Sequence, residues 1–117
     1  MYSLISTTYT DTSSTFTSIA ALKGGIIYLA LTTSTITSAT FTNGYAVNGG
    51  VFYEYDKTPL TVTSSTFTNN NAITNGGIGY VKGNTAAATT FTNTFSLCTF
   101  TTQTAGTYGG GFYISSA

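Results

Sequence analysis

Apolar and polar residues alternate along this chain in short bursts, as in Thr35-Ile36-Thr37, Thr40-Phe41-Thr42 and Leu60-Thr61-Val62-Thr63. A period of two is the pattern of a half-buried strand. Threonine, β-branched and at home in strands, supplies most of the polar positions. Only Ile19 to Lys23 reads as a single helical turn. The bursts recur with fixed landmarks. Gly-Gly-x-x-Tyr occurs four times, ending at Tyr28, Tyr53, Tyr80 and Tyr113 after the pairs Gly24-Gly25, Gly49-Gly50, Gly76-Gly77 and Gly109-Gly110. Upstream of each lies Thr-Phe-Thr, centred on Phe16, Phe41, Phe67 and Phe100, with Ala21, Ala46, Ala72 and Ala105 each five positions further on.

The interval between phenylalanines is nearly constant from Phe16 through Phe41 to Phe67 and lengthens before Phe100. Matched landmarks at a period of roughly 20–50 residues predict a solenoid. The predicted fold is all-β: a right-handed parallel β-helix of about four turns, with little or no helix, as one domain over 1–117. The turns run approximately 2–28, 28–53, 53–80 and 80–113. In such a coil each strand pairs with its equivalent one turn later, about 4.8 Å away. The phenylalanines are then expected to stack internally, the alanines to mark where the interior is narrow, and the glycine pairs to allow close backbone approach.

Further columns follow from the same alignment. Asn43 and Asn69 lie two positions after their phenylalanines, and Asn48 and Asn75 precede their glycine pairs, so both sets are expected to form amide ladders. Cys98 shares a slot with Ala39 and Ser65, which reads as a small buried structural thiol. The gap from Tyr2 to Phe16 equals that from Tyr53 to Phe67, so Tyr2 is expected to be a fifth rung of the tyrosine ladder. Parity along Gly-Gly-x-x-Tyr leaves the tyrosine orientation open. Burying Glu54 without a partner is costly, so tyrosines inside or at a corner are expected. Tyrosines outside would form an adhesive or sugar-stacking stripe.

The repeat resembles those of right-handed parallel β-helices of the polymorphic outer-membrane protein type, whose turns carry Gly-Gly-aliphatic and Phe-x-x-Asn motifs. Phe67-Thr68-Asn69-Asn70 fits the second motif, while the other turns place Ile19, Gly44 and Gln103 at its asparagine position. The resemblance covers Tyr2 to Tyr113 and implies a microbial surface protein, extracellular or on the cell surface.

Composition narrows the function. Only 5% of the 117 residues are charged, three lysines balance three acids, and arginine and histidine are absent. Nucleic-acid binding, which needs clustered cations, is excluded. The longest apolar run, Ile26 to Leu31, is far below the roughly 18 residues of a membrane span. No signal peptide is visible, so a mature or cropped piece, or another export route, is expected. Near-zero net charge favours association, and the dense Ser and Thr offer sites for O-linked glycans.

Candidate chemistry is sparse. Glu54 and Asp56, two apart on a strand, would set two carboxylates about 7 Å apart on one face, within reach of an inverting glycosidase. One strand cannot place both sides of a scissile bond, and Lys57 is adjacent, so a solvated loop face is expected. Zinc lacks ligands, calcium would find too few oxygens, and no Gly-rich corner has the phosphate-loop pattern. No cofactor, metal or catalytic residue is expected. The terminal turns carry no capping helix, charged strand or proline; the sole proline is Pro59. Uncapped coils expose strand edges, so the expected partner is self, either a head-to-tail homopolymer or more of the same polypeptide. The leading expectation is thus a non-enzymatic structural protein of an extracellular fibre. An adhesin recognising glycans or a partner cell through its loops or tyrosines is the alternative, and a carbohydrate-active enzyme is third.

Overall fold

The structure is a computed structural model that describes residues 1–56, 58–83 and 92–115. The first coil contains β1 (Tyr2–Ile5), β2 (Thr8–Thr12), β3 (Thr15–Thr17) and β4 (Ala20–Lys23). The second contains β5 (Ile27–Ala30), β6 (Thr33–Thr37), β7 (Thr40–Thr42) and β8 (Tyr45–Asn48). The third contains β9 (Phe52–Tyr55), β10 (Leu60–Thr63), β11 (Thr66–Thr68) and β12 (Asn71–Asn75). The fourth contains β13 (Gly79–Lys82), β14 (Thr94–Ser96), β15 (Thr99–Thr101) and β16 (Thr104–Ala105), and β17 (Phe112–Ser115) follows. Among the described residues there is no helix: Ile19 to Lys23, a possible helical turn by sequence, lies largely in β4.

Every pairing is parallel and joins equivalent strands of successive coils. Four sheets result: β1-β5-β9-β13-β17, β2-β6-β10-β14, β3-β7-β11-β15 and β4-β8-β12-β16. This is the predicted parallel β-solenoid, 23 Å along its shortest dimension and 34 by 31 Å across.

A repeated backbone device turns the corners of the coils among the described residues. Eleven non-glycine and four glycine residues among those described have φ between 51 and 70°. They fall into four columns: Ser6, Leu31 and Asp56; Ser13, Ser38, Ser64 and Leu97; Ser18, Asn43, Asn69 and Thr102; Gly24, Gly49, Gly76 and Gly109. Left-handed conformation costs a residue with a Cβ about 1–2 kcal/mol, and Ser and Asn tolerate it better than most. Only the fourth corner uses glycine throughout, for a steric reason. A Cβ on Gly49 would overlap the Phe52 carbonyl, and one on Gly50 would overlap the Gly77 carbonyl of the next coil.

The phenylalanine column forms as predicted. Phe16, Phe41, Phe67 and Phe100 pair in register, with ring centroids 5.1, 4.8 and 5.1 Å apart. The alanines pair likewise. Ile27, Leu29, Ile36, Phe52, Leu60 and Val62 belong to the same core, with Ile26, Ala39, Val51 and Ile78. Phe112 lies over Gly79, where a Cβ would approach its ring to 2.7 Å.

Tyr2 does not join the tyrosine ladder: Ser3 pairs with Tyr28, and Tyr2 pairs with Ile27. The matching gap to the next phenylalanine is misleading, because the third coil holds one extra residue in the connection after Tyr53. The first coil has the shorter spacing of the second. A one-residue slip moves a side chain to the other face, so Tyr2 turns inward, edge-on to Phe16 at 5.6 Å.

The amide columns also differ from expectation. Asn75 donates to Asn48 at 3.3 Å, as predicted. Asn43 and Asn69 instead supply left-handed corners at φ 55 and 52°, and no hydrogen bond joins their side chains. The buried amide is the next residue, Asn70. Its Oδ1 accepts from Gly44 N–H at 2.8 Å, and its Nδ2 donates to the Phe41 carbonyl and to Gln103 Oε1, each at 3.1 Å. Gln103 repeats the role one coil later, donating to the Phe67 carbonyl at 2.8 Å. Cys98, in the last described coil of its column, is half-buried, and its thiol donates to the Ser96 carbonyl at 3.4 Å.

Replacing Asn70 leaves the Gly44 N–H and the Phe41 carbonyl without this partner. Asn70→Ala is expected to lower unfolding free energy by about 2–4 kcal/mol, measured by urea unfolding. A loss below about 0.5 kcal/mol, the size of a neutral surface change, would show that this corner does not need its amide.

Candidate functional site: a tyrosine stripe outside and a carboxyl inside

The sheet formed by β1, β5, β9, β13 and β17 carries the groups that sequence left unresolved. Along β5, Ile27 and Leu29 belong to the core and Tyr28 points away from it; along β9, Phe52 and Glu54 are wholly buried with Tyr53 between them. Strand alternation therefore puts the tyrosines outside. This overturns the expectation of inward tyrosines. Its premise failed: Glu54 is buried, but it has partners.

Tyr28, Tyr53, Tyr80 and Tyr113 stack at centroid distances of 5.4, 5.0 and 5.4 Å. Tyr108 continues the stack on Tyr113 at 5.9 Å. Lys23 Nζ lies 5.3 Å from the Tyr53 ring centre, a cation–π distance. Burial, then the neighbouring phenols Tyr80, Tyr28 and Tyr55, pushes the Tyr53 hydroxyl pKa up. Tyr28, Tyr80 and Tyr113 keep part of their surface exposed, whereas Tyr53, sandwiched between Tyr28 and Tyr80, is only 3% exposed although it lies outside the core. The stack is open at both ends: at Tyr108, which is 61% exposed, and at the face of Tyr28 towards Ser3, which has no ring to place there. A cavity of about 360 Å³ opens at the Tyr28 end, lined by Met1, Ser3, Ala21, Leu22, Lys23 and Tyr28.

Glu54 is the second feature. It sits in the column between Leu29 and Val81 with no exposed surface. Asn93 Nδ2 donates to Glu54 Oε2 at 2.6 Å, and Thr58 Oγ1 donates to the same oxygen at 3.3 Å. Asn93 Oδ1 accepts from Leu60 N–H at 3.1 Å. Glu54 Oε1 has no hydrogen-bond partner. Burial pushes the Glu54 pKa up to about 7, although the bonds from Asn93 and Thr58 pull it down. Glu54 is thus not part of a solvated loop face. Nor does it share an exposed face with Asp56, which turns the corner at φ 63°; Lys57 lies outside the described residues. No group of His, Cys, Asp and Glu among the described residues is arranged to hold a metal.

The Thr58 and Asn93 partnership was not foreseen. A signal existed: Asn93 follows Leu60 at the same interval by which Phe100 follows Phe67, and Glu54 aligns with Leu29 and Val81. A polar residue in an aliphatic column implies a buried partner.

No protein-family profile matches this chain, and neither a curated protein nor a solved structure matches it.

The Glu54 environment makes stability pH-dependent. The folded state holds its proton up to about pH 7, whereas the ordinary value for the group is 4.5. The stabilisation is complete below 4.5 and is lost as pH rises through 7. Unfolding free energy is expected to fall by roughly 2–4 kcal/mol over that window, and Glu54→Gln is expected to flatten the slope. An unchanged slope in the variant, read from urea unfolding between those pH values, would assign it to other groups.

Proposed function

We propose that this chain is a non-enzymatic structural protein, forming or belonging to an extracellular β-solenoid fibre whose coils stack end to end. The supporting observation is the contrast between the middle coils and the end coils. Phe41 and Phe67 have no exposed surface, whereas Phe100 in the same column is 44% exposed. At the two ends Tyr2, Ile5, Leu97 and Ile114 stand 52, 62, 83 and 75% exposed. The outer strands of all four sheets have one unpaired edge each, with no capping helix among the described residues. Unpaired edges beside an open core favour further strands. β15 and β3 carry the same Thr-Phe-Thr sequence. Phe16, at 6% exposure, is covered by Tyr2, so a second copy seated in that register would continue the phenylalanine column once β1 and Tyr2 move aside.

Strand number adds a constraint. One sheet has five strands where the others have four. Stacked at four strand spacings, β17 of one copy and β1 of the next require the same position. β17 fills it better, since Tyr113 extends the ladder where β1 offers Ser3. Electron cryomicroscopy is expected to show filaments with a rise of about 19 Å per copy, four times the strand spacing. A rise of about 24 Å, five spacings, would mean that both strands stay in place. Isolated particles at high concentration would count against assembly from separate copies.

A second reading, an adhesin or glycan-binding module, draws support from the open Tyr28 face and the cavity beside it. Retention on a glycan array that disappears in Tyr28→Ala would favour it. The third, a carbohydrate-active enzyme, loses its carboxylate pair, because Glu54 has no surface with which to meet a polysaccharide.

A further inference from the structure

Glu54, Thr58 and Asn93 bring together three groups of complementary chemistry inside the third and fourth coils. A hydroxyl and a carboxamide both donate to one carboxyl oxygen, at 3.3 and 2.6 Å. The carboxamide carbonyl is engaged by the Leu60 N–H at 3.1 Å. Thr58 and Glu54 have no exposed surface, and Leu29, Leu60 and Val81 are buried around them. This is more than a buried acid needs. Two donors converge on Oε2 while Oε1 is left unpartnered, and a neutral apolar residue fills the same column in the neighbouring coils.

We propose that these residues form a self-modifying centre in which Thr58 displaces ammonia from the Asn93 side chain, leaving an internal ester between the third and fourth coils. The bond formed is Thr58 Oγ1 to Asn93 Cγ; the bond broken is Asn93 Cγ to Nδ2. The hydroxyl proton passes to Glu54 Oε2 and from there to the departing nitrogen, so Glu54 is unchanged at the end. No oxidant, metal or second substrate is required. The Leu60 N–H faces the oxygen on which charge develops as the carbonyl is attacked, the position of an oxyanion donor. Because Glu54 titrates near 7, its base and acid forms coexist at neutral pH, as proton shuttling demands. Holding the reacting groups on adjacent coils converts a slow bimolecular reaction into an intramolecular one, with Thr58 and Glu54 wholly buried and Asn93 partly so.

The link would tie residue 58 to residue 93 across the longest of the repeat intervals, the one that also separates Phe67 from Phe100. It is independent of the fibre reading, although a covalent bond between coils would suit a load-bearing one.

Intact-mass measurement of the denatured protein, after the folded chain has stood at neutral pH, tests the proposal. The expected mass is that of the 12.2 kDa chain less one ammonia, with a fragment joining the Thr58 and Asn93 peptides. Thr58→Ser is expected to retain the loss. Thr58→Val and Glu54→Gln, checked for folding by circular dichroism, are expected to show the full sequence mass. Thr58→Val decides the matter if Glu54→Gln does not fold. The full sequence mass in the folded parent chain overturns the proposal. So does an ammonia loss that persists in Thr58→Val, which would assign it to cyclisation at the Asn-Gly pairs beginning at Asn43, Asn48 or Asn75.

Discussion

The parallel register between successive coils governs this molecule. Each strand finds its hydrogen-bond partner one coil away, so no strand has a local partner and none is stable alone. Register also dictates chemistry, since every side chain must live beside its equivalents above and below. Phenylalanine on phenylalanine and tyrosine on tyrosine are the visible results. Such columns favour one residue type because a ring of one size fills the coil at that point without voids.

The corners make this register possible. A left-handed residue at each of four columns redirects the chain by a fixed amount, so successive circuits superimpose. Serine and asparagine hold most positions in two of the other three corners, despite a conformational cost that glycine would avoid. At the glycine corner two backbones and the next coil converge, and no Cβ fits. Behind another corner, Asn70 and Gln103 give their side-chain amides to the backbone. The Phe-x-x-Asn motif thus has a physical meaning, satisfying turn backbone that the sheets leave behind. Glutamine can do the same work, which is why Gln103 at that position keeps the structure intact.

Against this regularity, Glu54 is the one ionisable side chain among the described residues with no exposed surface, in a column otherwise aliphatic beside it. Burial of a carboxyl is unfavourable unless it is neutral or hydrogen-bonded, and here it is held near its midpoint by opposing influences. A purely mechanical coil has no need of it. The tyrosine stripe differs, because its rings satisfy one another and cover the sheet from outside. Its rings have little face left for a ligand except at the two ends, Tyr28 and Tyr108.

The fold was legible because repetition amplified weak local signals. A single Thr-Phe-Thr burst says little, but four in matched positions, each followed by alanine and a glycine pair, specify strands, corners and pairing together. Repetition alone thus specified the parallel solenoid, its phenylalanine and alanine columns and the Asn48–Asn75 contact. It left open which way the tyrosines face, since Ile26-Ile27 and Val51-Phe52 offer two consecutive apolar residues and both parities bury one of them. The assembled coil resolves the choice by burying both at a bend and turning the tyrosines out. The same holds for Tyr2, shifted one residue by pairing that spacing did not reveal, and for Glu54, whose partners lie four and 39 residues away. Periodicity fixes which residues stack on one another. The inward or outward sense of a side chain, and its partner across the core, depend on corner geometry that exists only when the coils are assembled.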